Sequence, residues 1–266
     1  MPYLQRPGAR IWWEQTGSGT PVLLIMGHAY GAAMWHRALP ELAGRHRVIR
    51  FDNRGIGRSS DPPGPYPVPV MAGDAAAVLD AAGADSAHVY GVSMGGFIAL
   101  QLALEHPGRV QSLTLGCTAA AAPRGPHGAL VTRIRSLVPA PVLNRMARNL
   151  LYGPNTPTRL KKEDQQVVQH TRASTQGRHG QLTGMADFDV TTQLGQIRVP
   201  TLILHGSRDR IVPFASAQQL AAGITGSRLV AFPGAGHIYT TDVPAAANHE
   251  FLRFLADNEE LSSGPV

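Results

Sequence analysis

HVYGVSMGGFIAL, residues 88–100, decides the fold of this 266-residue chain. Its first half is apolar and partly β-branched, as a buried strand is, and its second half continues as a helix. Between them lies Gly91-Val92-Ser93-Met94-Gly95, a G-x-S-x-G pattern at a strand-to-helix turn. A serine projecting its hydroxyl from so sharp a turn takes a strained backbone, and the chain on either side passes too close for any but the smallest side chains. Gly91, Gly95 and Gly96 meet that demand. The chain holds 29 glycines, so the pattern alone could arise by chance. The strand before it, the helix after it and the third glycine give it weight. The turn also puts Ser93 at a helix amino terminus, where the first N–H groups lack intrahelical acceptors and favour a developing negative charge.

Working outward, short apolar runs recur between helical patterns: PVLLIM (21–26), HRVIRF (46–51), AHVYGV (87–92), VQSLTL (110–115), PTLILH (200–205) and SRLVAF (227–232). Such alternation predicts an α/β fold with a mainly parallel, twisted sheet flanked by helices on both faces. Residues 3–15 are expected to add an antiparallel hairpin, turning at Pro7 and Gly8, at the sheet edge. The rhythm breaks across residues 120–196, where Leu130, Ile134, Leu137, Val142, Leu143, Met146 and Leu150 alternate with Arg133, Arg135, Arg145 and Arg148. This stretch is expected to be a helical lid inserted into a core domain of residues 1–119 and 197–266, with a polar tail after about Asn258.

Serine is a poor nucleophile at neutral pH, so a reactive Ser93 requires a histidine base and a carboxylate to hold that histidine in the right tautomer. PTLILHGSRDRIVP places Asp209 just after the fifth of these strands, and SRLVAFPGAGHIYTTDVP places His237 in a glycine-rich loop after the sixth. The chain order serine, aspartate, histidine is the one such a turn requires. Asp187, Asp189 and Asp242 compete for the acid. The first two lie in the insertion and the third is close to His237 in sequence, which favours Asp209. His46 and His88 open strands, His106 ends a helix and His205 closes a strand, so capping or packing is expected of them. A tetrahedral intermediate also needs two donors, assigned to the backbone N–H groups of Met94 and of His28 in the IMGHAYG loop.

In order and spacing, IMGHAYG, FDNRGIGRSS, GVSMGG, LILHGSRDRIVP and FPGAGH resemble the α/β-hydrolase superfamily over nearly the whole chain. The resemblance is nearest to small bacterial hydrolases with a helical lid: 3-oxoadipate enol-lactonases, aclacinomycin-type methylesterases and cofactor-free haloperoxidases. It implies a catalytic triad of Ser93, Asp209 and His237, and an oxyanion hole at His28 and Met94. The chain departs from the pattern at Met26-Gly27, where His-Gly is common, a change expected to alter the pocket wall more than the chemistry. Asp52 and Arg54 of the FDNRG landmark are expected to stabilise a loop. A serine at position 93, where dehalogenases and epoxide hydrolases of the superfamily carry aspartate, argues against both of those activities.

The implied activity is hydrolysis of a small carboxylic ester or lactone through an acyl-enzyme, with no cofactor and no metal, and with a rate that falls in acid as the base is protonated. The apolar, arginine-bearing insertion points to a hydrophobic acyl or polyketide-like substrate. Acyl transfer and cofactor-free haloperoxidation use the same triad and stay open as alternatives, as does a noncatalytic ligand-binding role, which retention of all three triad residues disfavours. Composition excludes other classes. The net charge is +6, but the basic residues are scattered, which speaks against nucleic acid. No stretch has the length and apolarity of a membrane span or signal peptide, so a cytoplasmic location is expected. A single cysteine, Cys117, allows no internal disulfide and is read as a small core residue.

Overall fold

The computed structural model describes residues 3–123, 150–171 and 173–262. Eight strands form one sheet: β1 (Tyr3–Arg6), β2 (Ala9–Thr16), β3 (Pro21–Ile25), β4 (Arg47–Phe51), β5 (Ala87–Val92), β6 (Val110–Gly116), β7 (Thr201–Gly206) and β8 (Arg228–Phe232). Their order is β1-β2-β4-β3-β5-β6-β7-β8. The β1–β2 and β2–β4 pairings are antiparallel, and every other pairing is parallel. The hairpin at Pro7 and Gly8 sits at the sheet edge as the sequence predicts, with Gly8 at φ 69°.

Side chains of a strand alternate between faces, so the two sides of the sheet nucleate two cores. Leu23, Ile25, Ile49, Val89, Leu113 and Ile203 face helices α2 (Val68–Ala81) and α3 (Met94–Glu105) on one side. Val22, Leu24, Val48, Tyr90, Leu202 and Leu204 meet Trp35, Leu42 of α1 (Leu39–Ala43) and Phe251 on the other. All of these strand residues are buried, and each such side chain contributes about 1.5–3 kcal/mol.

The strand order reverses at β3, which lies between β4 and β5. Ligands of open α/β sheets bind at the carboxyl ends of the strands where the order reverses. Here that crevice lies between the loop after β3 and the turn after β5.

Within the insertion, α4 (Thr158–His170) and α5 (Thr175–Gly184) are helical, while most of the proposed lid's apolar and arginine pattern, residues 124–149, lies outside the described residues. Residues 185–196 return to the first core: Phe188 stacks on Phe97 with ring centroids 4.6 Å apart, and Val190 N–H donates to the Ala120 carbonyl. At the carboxyl end the structure corrects an expectation. The region read as a polar tail after Asn258 is helical as far as Ser262, the last turn of α6 (Pro244–Ser262). Two glutamates and a leucine, good helix formers, extend the helix there.

Candidate active site

Ser93 sits at φ 57°, ψ −123°, between the buried β5 and the first residue of α3. A bulky residue on L-chirality backbone pays for positive φ, so the strain persists only where neighbours over-determine it. They do so here. Ser93 N–H donates to the Gly116 carbonyl at 2.8 Å, and the Ser93 carbonyl accepts from the Thr118 hydroxyl at 2.8 Å. The glycines around the turn answer a steric need: a Cβ at Gly91 would collide with the Gly95 carbonyl, one at Gly95 with the Ile25 carbonyl, and one at Gly96 with the Thr118 side chain.

The structure brings Ser93, Asp209 and His237 together from three strand ends. Ser93 Oγ lies 3.0 Å from His237 Nε2, and His237 Nδ1 lies 2.8 Å from Asp209 Oδ2. An ionised carboxylate only accepts, so Nδ1 carries the proton and Nε2 presents a lone pair to the serine hydroxyl. Asp209 is pinned by its other oxygen, which accepts from Ile211 N–H at 2.8 Å and Val212 N–H at 3.0 Å. Burial works to raise the Asp209 carboxyl, but the hydrogen bond and charge of His237 and those two N–H groups outweigh it and hold the group below the ordinary carboxylate value.

The loop after β3 runs alongside. A Cβ at Gly27 would come within 3.0 Å of Ser93 Cβ, which sets His28 beside Ser93. Met94, as the first residue of α3, offers a first-turn N–H. The His28 ring turns to the insertion, its Nε2 3.0 Å from the Arg178 carbonyl. Asp52 and Arg54 act on loops, as expected. Asp52 accepts from Ala32 N–H at 2.7 Å and from Arg58 N–H at 3.0 Å, while Arg54 makes a buried two-pronged pair with Asp74 at 2.7 and 2.8 Å.

Of the competing acids, Asp242 lies apart from the serine–histidine chain and braces the histidine loop. Its Oδ2 accepts from Gly236 N–H at 2.6 Å and Gly153 N–H at 2.8 Å. Asp189 caps a turn through Thr191 N–H at 2.9 Å. Three further residues help to hold the site: His205, of which the sequence predicts only capping or packing, and Asn53 and Gln181, to which it assigns no role. His205, fully buried, has Nε2 3.0 Å from the Val212 carbonyl and 3.4 Å from Asp209 Oδ2. Both are acceptors, so Nε2 carries the proton, and burial keeps the ring neutral by lowering its pKa. A titratable residue in the otherwise apolar run LILHG was the available signal. Asn53 donates to the Met26 carbonyl at 2.9 Å, and Gln181 accepts from Ala29 N–H at 3.0 Å. Asn53 falls within the FDNRG stretch, but nothing local marks its contact with the Met26 carbonyl, and Gln181 carries no local pattern.

Among the described residues, the one group of three that brings candidate metal ligands within 4.8 Å of one another is Cys117, His205 and Asp209. It fits a packed polar cluster better than an ion site. Asp209 is engaged by His237 and two N–H groups, His205 presents a proton, and burial followed by the Asp209 charge pushes the Cys117 thiol well up. Cys117 is buried, in keeping with the core role expected of it.

The family model described as alpha/beta hydrolase fold matches residues 20–239. The chain belongs to this family of hydrolases. It is 35% identical over 266 residues to the "Putative carbamate hydrolase RutD" of Azorhizobium caulinodans, covering 98% of this chain and 100% of that protein. It is 29% identical to the 3-oxoadipate enol-lactonase 2 of Acinetobacter baylyi, covering 85% of each. Among solved structures, the malate-bound thermophilic esterase of Thermogutta terrifontis superposes with a TM-score of 0.85 at 29% identity, covering 97% of each chain. Among the described residues, no helix is long and apolar enough to cross a membrane.

Proposed function

We propose that the protein is a serine hydrolase of small carboxylic esters or lactones, with Ser93 as nucleophile, His237 as general base and acid, and Asp209 as the group that orients and charges the histidine. The observation that carries this reading is the unbroken chain from Ser93 Oγ to His237 to Asp209, 3.0 and 2.8 Å, launched from a strained turn beside residues 27 and 28. His237 takes the Ser93 proton as Oγ attacks the carbonyl carbon. The resulting oxyanion is held by the N–H groups of His28 and Met94, and collapse expels the alcohol, which receives the proton from His237. Water, deprotonated by the same histidine, then attacks the acyl carbon, and the bond to Ser93 Oγ breaks as Oγ takes the proton back from His237, releasing the acid. Neither step calls for a metal or an organic cofactor. The lactonase and esterase names among the relatives support the ester class. The carbamate named for the Azorhizobium relative differs by a nitrogen that makes its carbonyl less electrophilic, so it enters the test as the competing substrate. Residues 120–196, as a lid over the site, are the source proposed for acyl selectivity.

The test pairs turnover with labelling. A fluorophosphonate is expected to label Ser93 in the wild type. Short p-nitrophenyl esters should be cleaved in preference to the matching carbamates, and Ser93→Ala should lose roughly four to six orders of magnitude in kcat. Labelling elsewhere, or turnover that survives in Ser93→Ala, would refute the assignment.

A further inference from the structure

The loop that carries His28 is held from below and from above. Below, Asn53 grips the Met26 carbonyl and Asp52 grips Ala32 N–H, at 2.9 and 2.7 Å. Above, the contact comes from the insertion. Gln181 of α5, fully buried at 0% exposure, accepts the Ala29 N–H on Oε1 at 3.0 Å and donates from Nε2 to the Arg54 carbonyl at 3.2 Å. Both ends of its amide are therefore used, one on the His28 loop and one on the loop after β4. Ala29 itself stands at φ 65°, a left-handed conformation rare for a residue with a Cβ, which needs an external partner to persist.

The helix presenting Gln181 is seated without slack. TQGRHGQLTG is a poor helix former, with three glycines in ten residues, and those glycines are its docking face. A Cβ at Gly177 would collide with the Gly55 carbonyl, one at Gly180 with the Tyr66 ring and one at Gly184 with the Tyr66 backbone. Tyr66 N–H donates to the Gly180 carbonyl at 2.8 Å, and His28 Nε2 lies 3.0 Å from the Arg178 carbonyl.

We propose that Gln181 is a positioning residue for the oxyanion hole: by holding the His28–Ala29 peptide, it aims the His28 N–H at the developing oxyanion. The two peptide planes flanking His28 share its Cα. The first is restrained by the turn in which Tyr30 N–H donates to the Gly27 carbonyl at 3.3 Å, and Gln181 restrains the second, so little rotation is left to the donor. Without Gln181 the Ala29 N–H loses its acceptor and the left-handed residue its reason to stay. The inference rests on the serine-hydrolase reading above.

The decisive variant is Gln181→Met, similar in length and unable to make either hydrogen bond, with Gln181→Ala as the second should the first fail to fold. On p-nitrophenyl butyrate, kcat should fall about 10- to 100-fold with KM within about twofold, because misplacing one donor acts on the transition state. Affinity for a trifluoromethyl ketone, which forms a tetrahedral oxyanion adduct on the serine, should fall by the same factor as kcat/KM. Affinity for the non-fluorinated ketone should hold. An unchanged kcat, or a loss of activity that follows a lowered melting temperature while the ratio of the two ketone affinities stays at the wild-type value, would overturn the proposal. A wild type that neither turns over nor labels at Ser93 would sink the underlying reading, and this inference with it.

Discussion

The floor of the site and the roof over it are held by different physics. The floor is Ser93, Asp209 and His237, in the turn and loops after the parallel strands β5, β7 and β8, where backbone groups do most of the holding: the Gly116 carbonyl on Ser93, the N–H groups of Ile211 and Val212 on Asp209. The proposed roof, described over residues 150–171 and 173–184, is fixed by a few buried polar hubs. Asp164, 1% exposed, accepts from Tyr152 at 3.0 Å, Thr241 at 2.7 Å and Arg37 at 3.0 Å. Asp242 and Gln181 serve as further hubs. A floor built on strand ends tolerates side-chain changes without losing shape, whereas a roof built on hubs depends on single residues. Chemistry and stability should therefore separate under mutation.

The largest separation is expected at Asp209→Asn. The amide keeps the size of the side chain but offers His237 the wrong tautomer, so kcat should fall by about 10⁴ while the melting temperature falls only modestly, by the stabilisation that the ionised carboxylate supplies. A large fall in melting temperature would break the contrast by showing that the floor, too, depends on one side chain.

Asp164→Ala should do the reverse. Removing the shared acceptor leaves the Tyr152 and Thr241 hydroxyls without it, while Arg37, whose side chain is 14% exposed, keeps Glu163 at 2.9 Å and the Leu160 carbonyl at 3.2 Å. The cost should be about 2–4 kcal/mol in urea unfolding, from two buried hydroxyls deprived of their acceptor, with Ser93 still labelled by a fluorophosphonate below the transition. A change under about 1 kcal/mol would mean that the roof does not hang on this hub.

Acid should weaken both regions, and by less. In the floor, burial lowers the pKa of His205. Against the roof, in the segment that Asp164 contacts, burial and the adjacent Arg37 lower that of His36 despite its proximity to Asp164. For each, the unfolded chain binds a proton more readily than the fold does. Stability is thus fully present above the ordinary histidine value of 6.5 and is lost as pH falls towards the depressed folded values. Asp209, also depressed, adds a further loss below the ordinary carboxylate value of 3.8. Melting temperature should be level from pH 8 to 7 and decline from pH 6.5 to 4. A rise over that range would reverse the sign assigned to these groups.

The same contrast separates what could be read from the chain from what could not. Strands were legible because buried parallel strands are short apolar runs bounded by turns, and each of the six predicted runs coincides with a strand of the sheet within one residue. The turn at Ser93 was legible because its steric demands select glycine at fixed offsets. The roof was less so. The segment 175–184 has little local propensity for a helix, and its glycines acquire meaning only from what they press against, Gly55 and Tyr66, more than a hundred residues earlier.

By itself, the sequence determined the alternation of strands and helices, the elbow at Ser93, and the order in which Asp209 and His237 follow it, because these depend on periodicity and on sterics within a few residues. Only the tertiary structure decided that His205 lies beneath Asp209, that Asp242 braces the histidine loop, and that Gln181 reaches across 150 residues to hold Ala29. Such contacts are set by the burial of unlike polar groups from distant segments, each of which must find a partner once water is excluded, and no local pattern records which partner that is.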